Sequence, residues 1–195
     1  MPEELIIKHC SPTLAGLKSG SMFSVTFDGS EEMVRVLKEL NGVLRNKGLR
    51  AVPFKKSETR YIVYIYRIAH LIKDLKSPRA EKILRSRGYE VGNLAGCLSE
   101  LARRIRAGKE FPHEIGLFLG YPPEDVSGFI EYKCGEGSCN REPKCTGCGR
   151  VFGDKEKAER KFNQFKKCTK VYSEVYKQGR SLDKLIVPSK EQASV

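Results

Sequence analysis

No apolar run in this chain approaches the ~20 residues that cross a bilayer as a helix. Met1 to Lys8 is acidic and then apolar, without the basic start and long hydrophobic stretch of a cleavable leader. A cytoplasmic protein that meets no membrane is therefore expected. A Walker loop, a dinucleotide glycine fingerprint, a nucleophile elbow and a two-histidine zinc-protease motif are also missing. With them go the short motifs that most often name a reaction, and the sequence leaves open whether the chain is an enzyme. Internal repeats and low-complexity segments are lacking too, so neither a repeat array nor a disordered linker is encoded. Acidic residues are interspersed throughout, and no pure Lys/Arg tract occurs.

What is present fits a packed domain. A length of 195 residues lets about two thirds of the unfolded surface be buried, so disulfides are not needed. Eight Tyr and nine Phe in an ordinarily apolar chain supply a core. Residues 1–187 read as one domain that includes a cysteine-rich loop at 133–150, and 188–195 as a frayed tail. The formal net charge of +12 favours nucleic acid, a phosphate-bearing ligand or an acidic protein partner, while a lysine-rich solvated surface accounts for it as well.

The periodicity predicts an α/β chain of the α+β kind, a small mixed sheet near the N-terminus covered by helices, followed by the cysteine-rich loop and a long amphipathic helix. Leu5 to Cys10 reads as a short buried strand, Ser21 to Phe27 as a second, and Glu31 to Lys47 as a helix capped by Ser30. Leu49 to Lys55 and Arg60 to Arg67 form a strand pair. Tyr61 to Tyr66 is apolar or aromatic at every position, so this strand is expected in the middle of the sheet, covered on both faces. Helices follow from Ile68, from Ser77-Pro78 to Gly88, and from Asn93 to Gly108. A short helix after Phe111 ends at Gly120, another begins at Pro122-Pro123, and the last runs from Asp154 to Gln178.

Seven cysteines are many for a reducing compartment, where they are read as metal ligands or catalytic thiols before disulfides. Cys134, Cys139, Cys145 and Cys148 crowd one loop rich in Gly, Ser, Asn and Pro. Four thiolates suit zinc or an iron–sulfur cluster, and Cys145-Thr146-Gly147-Cys148-Gly149 has the form of a zinc knuckle. Unliganded thiols, or a redox pair at Cys145 and Cys148, fit the spacing as well. Cys97 and Cys168 read as core or near-core thiols. His9 and Cys10 stand at a predicted strand end before a capped turn, where backbone N–H groups would lower a thiol pKa or bind an anion. His113 and Glu114 could form an acid–base pair, though a capping role explains them too. Lys155 to Lys170 is a basic helix that phosphates or plain solvation would equally explain.

The segments His9-Cys10-Ser11-Pro12-Thr13-Leu14-Ala15-Gly16 and Phe111-Pro112-His113-Glu114-Ile115-Gly116-Leu117-Phe118-Leu119-Gly120-Tyr121-Pro122-Pro123-Glu124-Asp125-Val126 resemble a bacterial family catalogued as domain of unknown function 3793, common in anaerobes. The resemblance continues to Gly179-Arg180-Ser181-Leu182. It implies a short cytoplasmic protein, carries no activity with it, and places His9, Cys10, Pro112, His113 and Glu114 in signature segments. It also implies an aromatic where Gly149 stands, and makes Cys134 and Cys139 additions of this chain. Two functions follow as expectations. One is a metal- or thiol-dependent protein of anaerobic redox or metal physiology, with His9, Cys10, His113 and Glu114 lining a pocket. The other is a nucleic-acid-binding module with a structural zinc knuckle; a protein–protein adaptor is a further alternative.

Overall fold

The strand with no polar face is the centre of the molecule. In a computed structural model describing residues 3–108, 110–134, 143, 145–146 and 150–189, β3 (Arg60–Arg67) is buried from Tyr61 onward. It lies between β1 (Gly20–Thr26) and β2 (Leu49–Lys55), antiparallel to both. The sheet is thus antiparallel throughout, where a mixed one was expected. β1 and β2 run parallel but do not touch, because the hairpin from β2 inserts β3 between them. Pro53 can occupy β2 because that strand is an edge, where a missing N–H leaves no central ladder broken.

Alternation along β3 divides the core into two layers. Tyr61, Val63 and Ile65 join Ile6, Ile7, Cys10 and Leu14 on one face, together with α2 (Gly29–Arg45). Ile62, Tyr64 and Tyr66 meet Leu71, Leu84, Leu101 and Phe118 on the other. That second face is covered by α3 (Ile68–Leu75), α4 (Pro78–Ser86), α5 (Leu94–Ala107), α6 (Ile115–Phe118) and α7 (Pro123–Cys134). A strand covered on both faces carries apolar residues at every position, which is the pattern its sequence has. The α+β class expected from the sequence is the class found.

The first element differs from expectation. Residues 3–14 form a helix, α1 (Glu3–Leu14), not a strand followed by a turn. Ile6, Cys10 and Leu14, spaced by four, make one buried stripe with Ile7, and Glu3 and Glu4 favour the helix N-terminus. Pro12 lies in the last turn and lacks the N–H for the preceding turn; the Ser11 hydroxyl bonds back to the Ile7 carbonyl. In α2 the cap position is Asp28 rather than Ser30, and the Glu32 carboxylate accepts from the Asp28 N–H at 2.5 Å.

After α7 a two-stranded ribbon pairs β4 (Cys145–Thr146) with β5 (Arg150–Val151), and α8 (Lys155–Lys177) follows. The Asp154 side chain caps α8 by accepting from Lys157 N at 3.0 Å. α8 lies along α1, turning Ala158, Phe162, Phe165, Tyr172 and Tyr176 toward the body. α9 (Leu182–Leu185) closes the first core layer. Of the tail expected to fray from Pro188, Ser189 is buried and its N–H bonds Lys47 O at 3.1 Å, while 190–195 lie outside the described residues. Among the described residues no helix is long and apolar enough to cross a membrane.

Candidate functional site

The segment Gly120 to Asp125 builds a wall that α8 faces. Gly120 has φ +75°, and a Cβ on it would stand 3.2 Å from Ser19 N, so both backbone conformation and space call for glycine. Pro122 and Pro123 start α7, and the Pro122 carbonyl accepts from Asp125 N at 3.0 Å. Asp125 is buried, and its Oδ1 accepts from Phe152 N and Gly153 N, both at 2.8 Å. One carboxylate therefore fixes the chain just before α8 to the first turn of α7. Gly128 allows Phe152 to close on α7, since a Cβ there would lie 2.5 Å from the Phe152 ring.

Between this wall, α3 and α8 lies a cavity of about 370 Å³. Tyr121, Pro122, Val151, Phe162 and Phe165 give it apolar sides. Its carboxylates are engaged: Asp74 by the Ser19 hydroxyl, Asp125 by the two amides, Asp154 in the helix cap, and Glu124 with Arg79 at 3.9 Å. Lys73, Lys157 and Lys161 also line it and pair with no carboxylate among the described residues.

Phe165 borders a second, more open cavity of about 490 Å³ between α1, β1 and the middle of α8. Here His9, Lys18, Lys166 and Lys170 stand with Ser21, Thr169 and Ser173, and no carboxylate among the described residues lines it. The His9 ring stacks on Phe23 with centroids 5.7 Å apart. Lys18 lies 5.2 Å over the Tyr121 ring of the first cavity, so the two spaces adjoin. The Ser21 and Thr13 hydroxyls are 2.8 Å apart.

Both signature segments thus border one cleft, His9 and Pro12 at one end and Gly120 to Asp125 at the other. Residues 6–186 match the family described as Protein of unknown function (DUF3793). The chain belongs to that family. No curated protein and no solved structure matches it.

In this DUF3793 protein the residues singled out from sequence go to different places. His9 is exposed on α1 and lines the second cavity; burial and the neighbouring Lys8 lower its pKa. Cys10, one residue on, is fully buried in the first core layer. Burial pushes its thiol far up, opposite to the lowering expected at a strand end, because Cys10 lies mid-helix against the sheet. His113 is half-buried, edge-on to Phe129 at 5.2 Å, and borders a separate open cavity of about 450 Å³ with Phe111 and Lys133. Glu114 is 1 % exposed and faces inward, accepting from the Tyr89 hydroxyl at 2.9 Å and Arg104 Nη1 at 3.2 Å. Burial and this carboxylate raise the Tyr89 pKa. His9, Cys10, His113 and Glu114 are therefore not brought to one pocket.

Of the cysteine cluster, Cys139 and Cys148 lie outside the described residues. The backbone of Cys134 ends α7 and that of Cys145 opens β4. Among the described residues no group of three or more His, Cys, Asp or Glu is placed to hold a metal ion. Cys97 is buried and its Sγ donates to Glu90 O at 3.3 Å, and Cys168 is half-buried on α8.

The cleft residues Lys18, Lys73, Tyr121, Lys161 and Phe165 were not legible as a site. The available signals were the basic helix from Lys155 to Lys170 and the signature segment around Tyr121-Pro122-Pro123. Phe162 and Phe165 have the spacing of a core stripe, and only the tilt of α8 over the body leaves space beneath them.

Proposed function

We propose that this protein binds a small anionic ligand with a flat apolar part in the cleft beneath α8. The observation that carries this reading is the pairing of apolar walls with lysines that pair with no carboxylate among the described residues, in a cavity whose carboxylates are held by other donors. Apolar pockets with a few convergent polar groups are the usual form of small-molecule sites. Phe162, Phe165 and Tyr121 take the flat part, and Lys73, Lys157 and Lys161 the charge. The test is calorimetry with anionic aromatic probes, mononucleotides and aromatic carboxylates, beside their neutral counterparts. The anionic members bind saturably, and Phe162→Ala and Lys161→Gln each weaken binding by about tenfold. Equal binding of charged and neutral probes, or no saturable binding across the panel, would sink the reading.

A second reading concerns the cysteine loop, where zinc or an iron–sulfur cluster on Cys134, Cys139, Cys145 and Cys148 serves metal or redox physiology. It is favoured by the antiparallel pairing of Cys145 with Val151 and Thr146 with Arg150, which sets the backbone of the third cysteine of the cluster in a short two-stranded ribbon. A zinc knuckle carries thiolates on a ribbon of this kind, and four of them complete a tetrahedral site. Metal and acid-labile sulfide assayed together on anaerobically purified protein distinguish zinc, an iron–sulfur centre and free thiols.

A further inference from the structure

The second cavity differs from the first in chemistry. Its polar lining is cationic or hydroxylic throughout: His9 and Pro12 from α1, Lys18 from the turn after it, Ser21 from β1, and Lys166, Thr169, Lys170 and Ser173 from α8. Lys166 and Lys170 pair with no carboxylate among the described residues. Two basic residues on the other side of the same helix, near its start, behave otherwise. Lys155 meets Glu159 at 3.9 Å and Arg160 meets Glu156 at 3.8 Å, both on the solvent side. Positive charge is thus balanced on the outer face of α8 near its start and left unbalanced where the helix overhangs α1 and β1.

Ammonium groups on opposite walls with hydroxyls between them suit a tetrahedral, multiply charged oxyanion. Each lysine offers rotatable donors, and Thr169 and Ser173 can donate without adding charge. The volume of about 490 Å³ exceeds one phosphate and leaves room for two linked groups or for a phosphate on a larger molecule. Phe165 and the Lys18–Tyr121 contact join this space to the apolar cavity.

We propose that this second cavity is a phosphate-binding site holding the phosphorylated end of the ligand whose flat part lies against Phe162 and Phe165. What the phosphate is attached to rests on the preceding reading; the phosphate site itself stands on its own lining. A small ligand fits better than a nucleic-acid backbone, because Lys166 and Lys170, although exposed, converge with His9, Lys18 and three hydroxyls on one cavity instead of forming a stripe along the helix.

The experiment is titration of the full chain with pyrophosphate at constant ionic strength, chloride serving as the reference anion, read by calorimetry and by the His9 imidazole resonances. Pyrophosphate binds saturably, one per chain, and shifts the His9 signals. Lys166→Gln with Lys170→Gln weakens it by more than about tenfold. Lys167→Gln with Lys177→Gln makes the same charge change on the same helix but lines neither cavity, and leaves binding within about twofold. Equal weakening by the two pairs means diffuse attraction to a basic chain and overturns the proposal. So does the absence of saturable binding. A single-stranded oligonucleotide that binds more tightly than pyrophosphate and is weakened by both pairs assigns the charge to nucleic acid and overturns it as well. Failure of the first-cavity reading looks different: pyrophosphate binds, ADP binds no better, and Phe162→Ala changes neither.

Discussion

Arg67 is 1 % exposed and pairs with no carboxylate among the described residues. Its guanidinium instead donates to the carbonyls of Thr13 at 2.6 Å, Leu14 at 2.5 Å and Val187 at 2.7 Å. Thr13 and Leu14 end α1, where the helix dipole concentrates partial negative charge, so the cation is compensated by peptide groups. Burial lowers its pKa, yet a guanidinium remains charged at any pH the fold survives. One side chain on β3 thereby ties α1 to the segment after α9. Arg67→Met keeps much of the volume but leaves the Val187 carbonyl without its donor and the Thr13 and Leu14 carbonyls with only the Gly16 and Val187 N–H groups, and the expected loss is about 1–3 kcal/mol. Urea unfolding monitored by circular dichroism measures it; a loss below about 1 kcal/mol would show water taking over the donor role. Little at this scale was legible beforehand. An arginine at the end of an apolar run is ordinarily solvated, and nothing in the local sequence states that a helix terminus and a chain segment 120 residues later will enclose it.

At the scale of elements, legibility followed the strength of the local signal. β2 and β3 were read from Leu49 to Lys55 and Arg60 to Arg67, because β-branched and aromatic runs bounded by a polar turn have few alternatives. Asn93 and Asp154 cap α5 and α8 through their side chains, as residues that compete for backbone N–H groups do. α1 differs from the expected strand because a short segment with apolar Leu5, Ile6, Ile7 and Cys10 fits a strand or one face of a helix, and the deciding stripe of Ile6, Cys10 and Leu14 shows only across its full length. The docking of α7 on the chain before α8 was equally hidden, since it depends on a missing side chain. A methyl group at Gly128 would meet the Phe152 ring at 2.5 Å and push it outward, pulling Phe152 N and Gly153 N off Asp125. Gly128→Ala is therefore expected to destabilise by about 1–3 kcal/mol although alanine is the better helix former. The amides of Phe152 and Gly153 then exchange faster with solvent, while those of β3 keep their relative protection. Unchanged stability and exchange would mean that the ring has room to move.

For the molecule as a whole, the formal charge of +12 is an unfavourable self-energy that grows as carboxylates and histidines protonate. Part of it is focused in the cleft, where His9 feels the charge of Lys8, its neighbour in sequence, and shares a cavity with Lys18, Lys166 and Lys170. The His9 pKa is held below its ordinary 6.5 by burial first and Lys8 second, so the unfolded chain takes up this proton more readily than the folded one. Stability linked to His9 is consequently present above pH 6.5 and is lost as pH falls through the lower folded value. A multiply charged oxyanion in the cavity reverses the local field. It favours the imidazolium, raises the His9 pKa, and by linkage binds more tightly as the pH falls. Two titrations separate these effects. Without added anion, thermal stability of the native chain falls faster between pH 7 and pH 5 than that of His9→Gln, which carries no titrating ring. With pyrophosphate the gain of the native chain relative to that of His9→Gln is larger at pH 5.5 than at pH 7.5, the variant accounting for the anion's own protonation in this range. If native and variant profiles coincide with and without the anion, His9 does not sense the charge of the cavity, and the cleft's unbalanced lysines are screened by solvent before they can act on one another.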